Sequence, residues 1–204
     1  MRGKEMIYWI GGSACAGKST LAQMYAKKYG LDLYSCDEHF YEHLKNISKL
    51  TQPAMYKVSK MTANEAFYKR EIAEQLRVYI LSFKEDFLFV INDLAKMSDR
   101  PIVVEGNQLL PSLVLPYLND KDKAIWLIPT ENFQREYYKR RNWIEKVLED
   151  TEDPEMAFNN WMTRDALFAK LVYQKATDLK LNVLQVDGSK NSCDNFKLVE
   201  DYFN

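Results

Sequence analysis

Several things are scarce in this chain of 204 residues, and each scarcity removes a class of protein. Cysteine occurs three times, at Cys15, Cys36 and Cys193, an odd number with no paired spacing. That suits free thiols in a reducing compartment better than a disulfide framework, and the cytoplasm is the expected home. Net charge is almost absent: 28 Lys and Arg face 29 Asp and Glu, so no global field favours nucleic acid or an anionic membrane surface. Apolar runs such as 6–10 and 125–128 fall far short of the roughly 20 residues needed to cross a bilayer. Basic residues precede the first of these runs, but it is too short for a secretory signal, and none is expected. Glycine and proline, 7 and 6 in number, exclude a collagen-like chain.

What is present is a globular composition, 47% hydrophobic with 13% aromatic. At this length a folded chain buries roughly 70% of its extended surface, so one domain spanning 1–204 is expected. Continuous apolar segments bounded by turn residues lie near 6–10, 31–35, 101–105, 124–128 and 182–186, the pattern of parallel strands covered on both faces. Helical spacing occupies 18–29, part of 63–97, 131–149, 155–178 and 194–203. The alternation predicts a doubly wound α/β sheet. No strand is evident between Cys36 and Arg100, where Phe67, Ile72, Leu76, Tyr79, Phe83, Phe87, Ile91 and Leu94 recur at near-helical intervals. That stretch reads either as helices packing their own face or as an inserted cap over a second substrate.

The most specific signal is Gly12-Ser13-Ala14-Cys15-Ala16-Gly17-Lys18-Ser19, which fits G-x-x-x-x-G-K-[ST] between a predicted strand and a predicted helix. Gly12 and Gly17 let the backbone turn so that successive N–H groups converge on phosphate oxygens at a helix N-terminus. Lys18 neutralises the β and γ phosphates, Ser19 offers its hydroxyl to Mg²⁺, and Thr20 reaches the α-phosphate from the first helical turn.

Two acids stand at the ends of later strands. Asp37 follows the second and is the candidate base that orients and deprotonates a hydroxyl acceptor; the competing role is a helix cap. Glu105, followed by Gly106, ends the third as a Walker B acid does, and is placed to hold Mg²⁺ through water. Beside Asp37, His39-Phe40-Tyr41-Glu42-His43 matches the zinc signature H-x-x-E-H and uses the whole histidine supply. A zinc enzyme needs a third ligand from a downstream carboxylate; the other readings are substrate contact by His39 or His43, or ordinary helix-face histidines.

Arg135, Lys139, Arg140 and Arg141 crowd about two helical turns, with Arg135 and Lys139 on one face and the others pointing elsewhere. A mobile lid bringing Arg140 and Arg141 onto the transferring phosphoryl group is one role, and Arg135 stacking on adenine another. The structural alternative is a solvated helix paired to Glu131, Glu136 and Glu145. Arg164 beside Asp165 is either a phosphate ligand or half of an intrahelical salt bridge. The acidic residues Glu149, Asp150, Glu152, Asp153 and Glu155 follow at once, so nucleic acid is not an expected partner.

Together these residues resemble the P-loop kinases of the nucleoside monophosphate kinase group, with shikimate, gluconate and chloramphenicol phosphotransferases as the nearest branches. The resemblance implies a P-loop NTPase three-layer sandwich, its five parallel strands ordered 2-3-1-4-5, with a helical insertion after strand 2. It also implies ATP and Mg²⁺, a substrate cap at 38–99, a lid at 135–153, and a turn at Val186-Asp187-Gly188-Ser189 whose Gly188 contacts adenine. The expected function is γ-phosphoryl transfer from Mg-ATP to a hydroxyl of a metabolite, antibiotic or nucleoside by a monomer or homodimer. The alternative is an ATP-binding regulatory or toxin-like module acting on a protein partner.

Overall fold

Runs of β-branched and aromatic residues become strands here because both faces of each run find cover. In a computed structural model, which describes residues 6–97 and 99–203, they form β1 (Ile7–Gly12), β2 (Asp32–Ser35), β3 (Ile102–Glu105), β4 (Ala124–Pro129) and β5 (Asn182–Val186). These pair in parallel as one sheet of order β2-β3-β1-β4-β5, the order expected. Alternation along β1 divides the core: Tyr8 and Ile10 join Val103, Ile125 and Leu127 on one face, while Trp9 joins Tyr34, Val104 and Trp126 on the other. The first face is covered by α1 (Lys18–Tyr29) and the C-terminal helix Ser192–Phe203, through Leu21, Tyr25, Phe196 and Phe203. The second is covered by two 25-residue helices, Ile72–Lys96 and Pro154–Asp178, through Phe83, Phe87, Phe168 and Val172.

After α1, the helices in chain order are α2 (Cys36–Leu44), α3 (Pro53–Lys60), α4 (Ile72–Lys96), α5 (Pro111–Val114), α6 (Glu131–Lys139), α7 (Asn142–Glu149), α8 (Pro154–Asp178) and α9 (Ser192–Phe203). A single π-helical turn, Asn64–Tyr68, precedes α4. Helices α2 and α3 fall in the stretch expected as a helical insertion after strand 2, where the sequence analysis marked no individual helix bounds before residue 63. The buried positions of α2 are Cys36 and His43, and the first turn of α3 is held from outside, where Glu85 of α4 accepts from the Ala54 and Met55 N–H groups at 3.0 and 2.8 Å. The helix expected at 131–149 is split. Tight bonds from Arg140 N to Tyr137 O and from Arg141 N to Tyr138 O close α6, and an extended Arg141 starts α7. Among the described residues no helix is long and apolar enough to cross a membrane.

Candidate active site at the carboxyl ends of the strands

The loop between β1 and α1 takes its shape from its backbone. Gly12 has φ +129°, and a Cβ there would stand 2.0 Å from Leu127 O, so no other residue fits the close passage of β1 beside β4. Cys15 and Gly17 also adopt positive φ, turning the chain around a concavity that ends at the N-terminus of α1. Lys18 spans it, its buried Nζ donating to Ser13 O at 2.8 Å. Burial lowers the Lys18 pKa, the charge of Arg141 acts the same way, and Glu105 and Asp37 oppose both. Gln134 of α6, which no sequence signal marked, braces the loop from behind by donating to Ser13 Oγ at 3.2 Å and Ala14 O at 3.0 Å. Burial pushes the Cys15 thiol pKa up, and the charges of Arg141 and Lys18 pull against it.

Glu105 ends β3 opposite Ile10 and Ser35. Its carboxylate accepts from Ser35 Oγ at 2.6 Å, and the nearby Ser19 hydroxyl favours its charged form. Burial raises its pKa and Lys18 draws it back. One carboxylate beside a serine hydroxyl at the mouth of a phosphate-type loop fits a Mg²⁺ that keeps waters and phosphate oxygens as its other ligands. Asp37 lies exposed in the first turn of α2, whose N-cap is Ser35, so the capping role does not fall to it. Gln108 Nε2 approaches Asp37 Oδ1 at 3.4 Å.

The two histidines do not share a metal. His39 stacks on Tyr34 at 4.0 Å and donates from Nδ1 to Ser35 O. His43 is buried, with Nδ1 on Asp86 at 2.6 Å and Nε2 on Asp93 at 2.8 Å, and Tyr34 also donates to Asp93. Burial disfavours its charged form, yet the two carboxylates outweigh that and raise the His43 pKa. With a carboxylate on each ring nitrogen, His43 has no nitrogen left to offer a zinc ion. No group of three or more His, Cys, Asp or Glu able to hold a metal occurs among the described residues.

The cations of α6 and α7 divide three ways. Arg135 is engaged by Glu131 and by Asn159 of α8, both at 3.2 Å, and does not line the cavity beside the loop. Lys139 pairs with Glu136 on the surface. Arg140 lies over the Tyr137 ring and Arg141 over Tyr138, and the field of Arg141 reaches both Lys18 and Cys15. The break between α6 and α7 is what turns Arg141 toward the loop.

Two cavities flank the loop. One of about 260 Å³ is lined by Cys15, Gly17, Thr20, Phe133, Tyr137 and Asn195. Phe133 and Tyr137 form its aromatic wall, rings 4.3 Å apart, and Gly188 packs behind Phe133 without lining the cavity. The other, about 390 Å³, is lined among others by Phe67, Arg70, Tyr79, Tyr138, Trp161 and Arg164. Phe67 stacks on Trp161 at 4.1 Å. Arg164 bonds Asp165 through Nε and Nη2 while its guanidinium lies 4.2 Å from the Tyr79 ring centroid, so it is at once salt-bridged and cavity-lining. Burial lowers the Arg70 pKa and the charge of Arg164 adds to that. Arg70 Nη1, Gln75 Oε1 and Trp161 Nε1 are buried without a hydrogen-bond partner among the described residues, and all three side chains line this cavity. The remaining such atoms belong to Asp86, Asn107 and Gln108, around Asp37 and Tyr79. Unsatisfied buried polar groups are rare in folded proteins, and half of those found among the described residues lie in side chains that line this one cavity.

No protein-family model matches the chain, and no curated protein matches it. Among solved structures, the chain is similar to shikimate kinase from Bacteroides thetaiotaomicron, at 12% identity, over 96% of this chain and 95% of that one, with a TM-score of 0.53. It is similar to an uncharacterised protein from Eubacterium ventriosum at 14% identity, over 98% of each chain, with a TM-score of 0.50. These likenesses carry the fold: the chain has the sheet order and helix layout of a P-loop kinase of the shikimate kinase type.

Proposed function

We propose that this chain is a phosphotransferase that moves the γ-phosphoryl group of Mg-ATP to a hydroxyl of a small molecule bearing an anionic group. The observation that carries this reading is that Lys18, Glu105 and Asp37 stand past the carboxyl ends of the neighbouring strands β1, β3 and β2, where the charges of both acids act on Lys18. Residues 12–20 cradle the phosphates, with Phe133 and Tyr137 flanking the base. Ser19 and Glu105 would hold Mg²⁺, which when bound offsets charge on the β and γ phosphates. Asp37 accepts the proton of the acceptor hydroxyl as its oxygen bonds the γ phosphorus. The bond from that phosphorus to the β–γ bridging oxygen breaks, and ADP leaves. Arg141, with Arg140 beside it, supplies positive charge above the transfer when the segment 135–153 closes as a lid. The segment 38–99 acts as the substrate cap. Its Arg70, with Arg164 of α8, faces an anionic group of the acceptor, and the Phe67 and Trp161 rings cover its apolar face.

The test is ADP release from Mg-ATP against pooled sugars, polyols, hydroxy acids, nucleosides, nucleotides and antibiotics, with Lys18→Ala as the blank. A pool containing an anionic alcohol should raise ADP above the blank, and Asp37→Asn should lower that rate by about 10³ while Mg-ATP still binds. Silence from every pool, with ATP bound, would move the chain to the regulatory class.

A further inference from the structure

Beyond the groups placed on substrate, a second set of polar side chains runs behind Asp37. Asp93 and Asp86, seven residues apart on α4, hold His43 of α2 between them. The Gln108 amide follows: it donates to Asp37 Oδ1 at 3.4 Å and approaches Asp86 without closing a full bond, favouring its charged form. An amide nitrogen carries two N–H groups, so Gln108 can serve both carboxylates. The opposite amide orientation would set a carbonyl oxygen against two acids. Gln108 is almost fully buried, and its position depends on Gly106, where a Cβ would stand 2.6 Å from Cys36 Cβ and 2.7 Å from Gln108 Oε1.

We propose that Gln108 is the positioning residue for Asp37: its amide, backed by the Asp86–His43 pair, fixes Oδ1 and leaves Oδ2 free for the acceptor hydroxyl. This rests on the reading of Asp37 as the base. The long contact to Asp37 is of the kind that tightens when substrate displaces water. Ionisable groups facing Gln108 and its two partners are Asp37, Cys36 and His43 on α2, Asp86 on α4, Glu105 on β3 and Lys18 on α1.

The experiment uses Gln108→Met, which keeps the volume and removes the donor, and Gln108→Glu, which keeps the shape and exchanges donor for acid. ADP formation is measured from Mg-ATP with water as acceptor and with whichever pool is active, between about pH 5 and pH 8. Both variants should lower kcat about tenfold at neutral pH with the KM for Mg-ATP unchanged. The deficit of Gln108→Glu should shrink as pH falls, because its carboxyl donates only when protonated, whereas that of Gln108→Met should stay constant. If Gln108→Met does not fold, the pH course of Gln108→Glu decides alone. Variants that match wild type, or a Gln108→Glu deficit independent of pH, would overturn the clamp while loss of turnover in Asp37→Asn leaves phosphotransfer standing. Wild-type turnover no greater than that of Lys18→Ala would remove both.

Discussion

The two cavities beside the phosphate loop are built in opposite ways. The smaller one lies against loop backbone, with positive φ at Cys15 and Gly17 and a helix N-terminus on one side and the Phe133–Tyr137 wall on the other. The larger one is framed by side chains from the π-helical turn, α4, α6 and α8, and it leaves polar atoms without partners. Backbone frames read what every nucleoside triphosphate shares, while side-chain frames read one molecule. The nucleotide side should therefore fail as a unit and the acceptor side piece by piece.

The strongest way to break that contrast is Gly12→Ala. Its Cβ would meet a backbone carbonyl that cannot move, so a loss above about 3 kcal/mol is expected, with ATP binding gone, as read by thermal melting and nucleotide titration. His43→Gln comes next. It leaves buried Asp86 without its ionic partner and should cost about 3 kcal/mol. Because the folded His43 pKa is raised, its stabilisation is full below the unfolded value of about 6.5 and is lost as pH rises through the folded value. The melting difference between wild type and His43→Gln should therefore be wide at pH 6 and narrow in alkali.

Two smaller effects sharpen the contrast. Arg70→Met should raise the acceptor KM roughly tenfold to a hundredfold and leave ATP affinity unchanged, since Arg70, with its unpartnered Nη1, lines the larger cavity and not the smaller one. Tyr137→Ala should do the reverse by a few-fold, weakening ATP through the lost aromatic wall with the acceptor KM constant. Steady-state kinetics with both substrates varied separates the two, and a variant that moves both constants together would erase the distinction.

Legibility in the sequence follows the same division. The strands, the loop at 12–20 and the acid at Glu105 were readable because each is local: a run of apolar residues, or glycines at fixed spacing ahead of a lysine. What buries α2 was not, because its His43 pairs with an acid of α4 that lies 43 residues away in sequence. The break between α6 and α7 carries no proline or glycine to announce it. Gln134, Arg70, Tyr79 and Gln108 have ordinary sequence neighbourhoods, and only the fold brings them to the loop, the cavity and Asp37. The pairing of Arg135 with Asn159 likewise depends on α8 lying alongside α6.

The adjacency of Tyr137 and Tyr138 has a consequence for how this site can vary. One step along a helix turns a side chain by about 100°, and that step here separates a wall of the smaller cavity from a wall of the larger one. Helix α6 is a partition whose meaning is angular: substitution on either face retunes one chamber. A single-residue insertion between Thr130 and Glu136 would carry Tyr137 into the wall of the larger cavity and bring Glu136 to the wall of the smaller one.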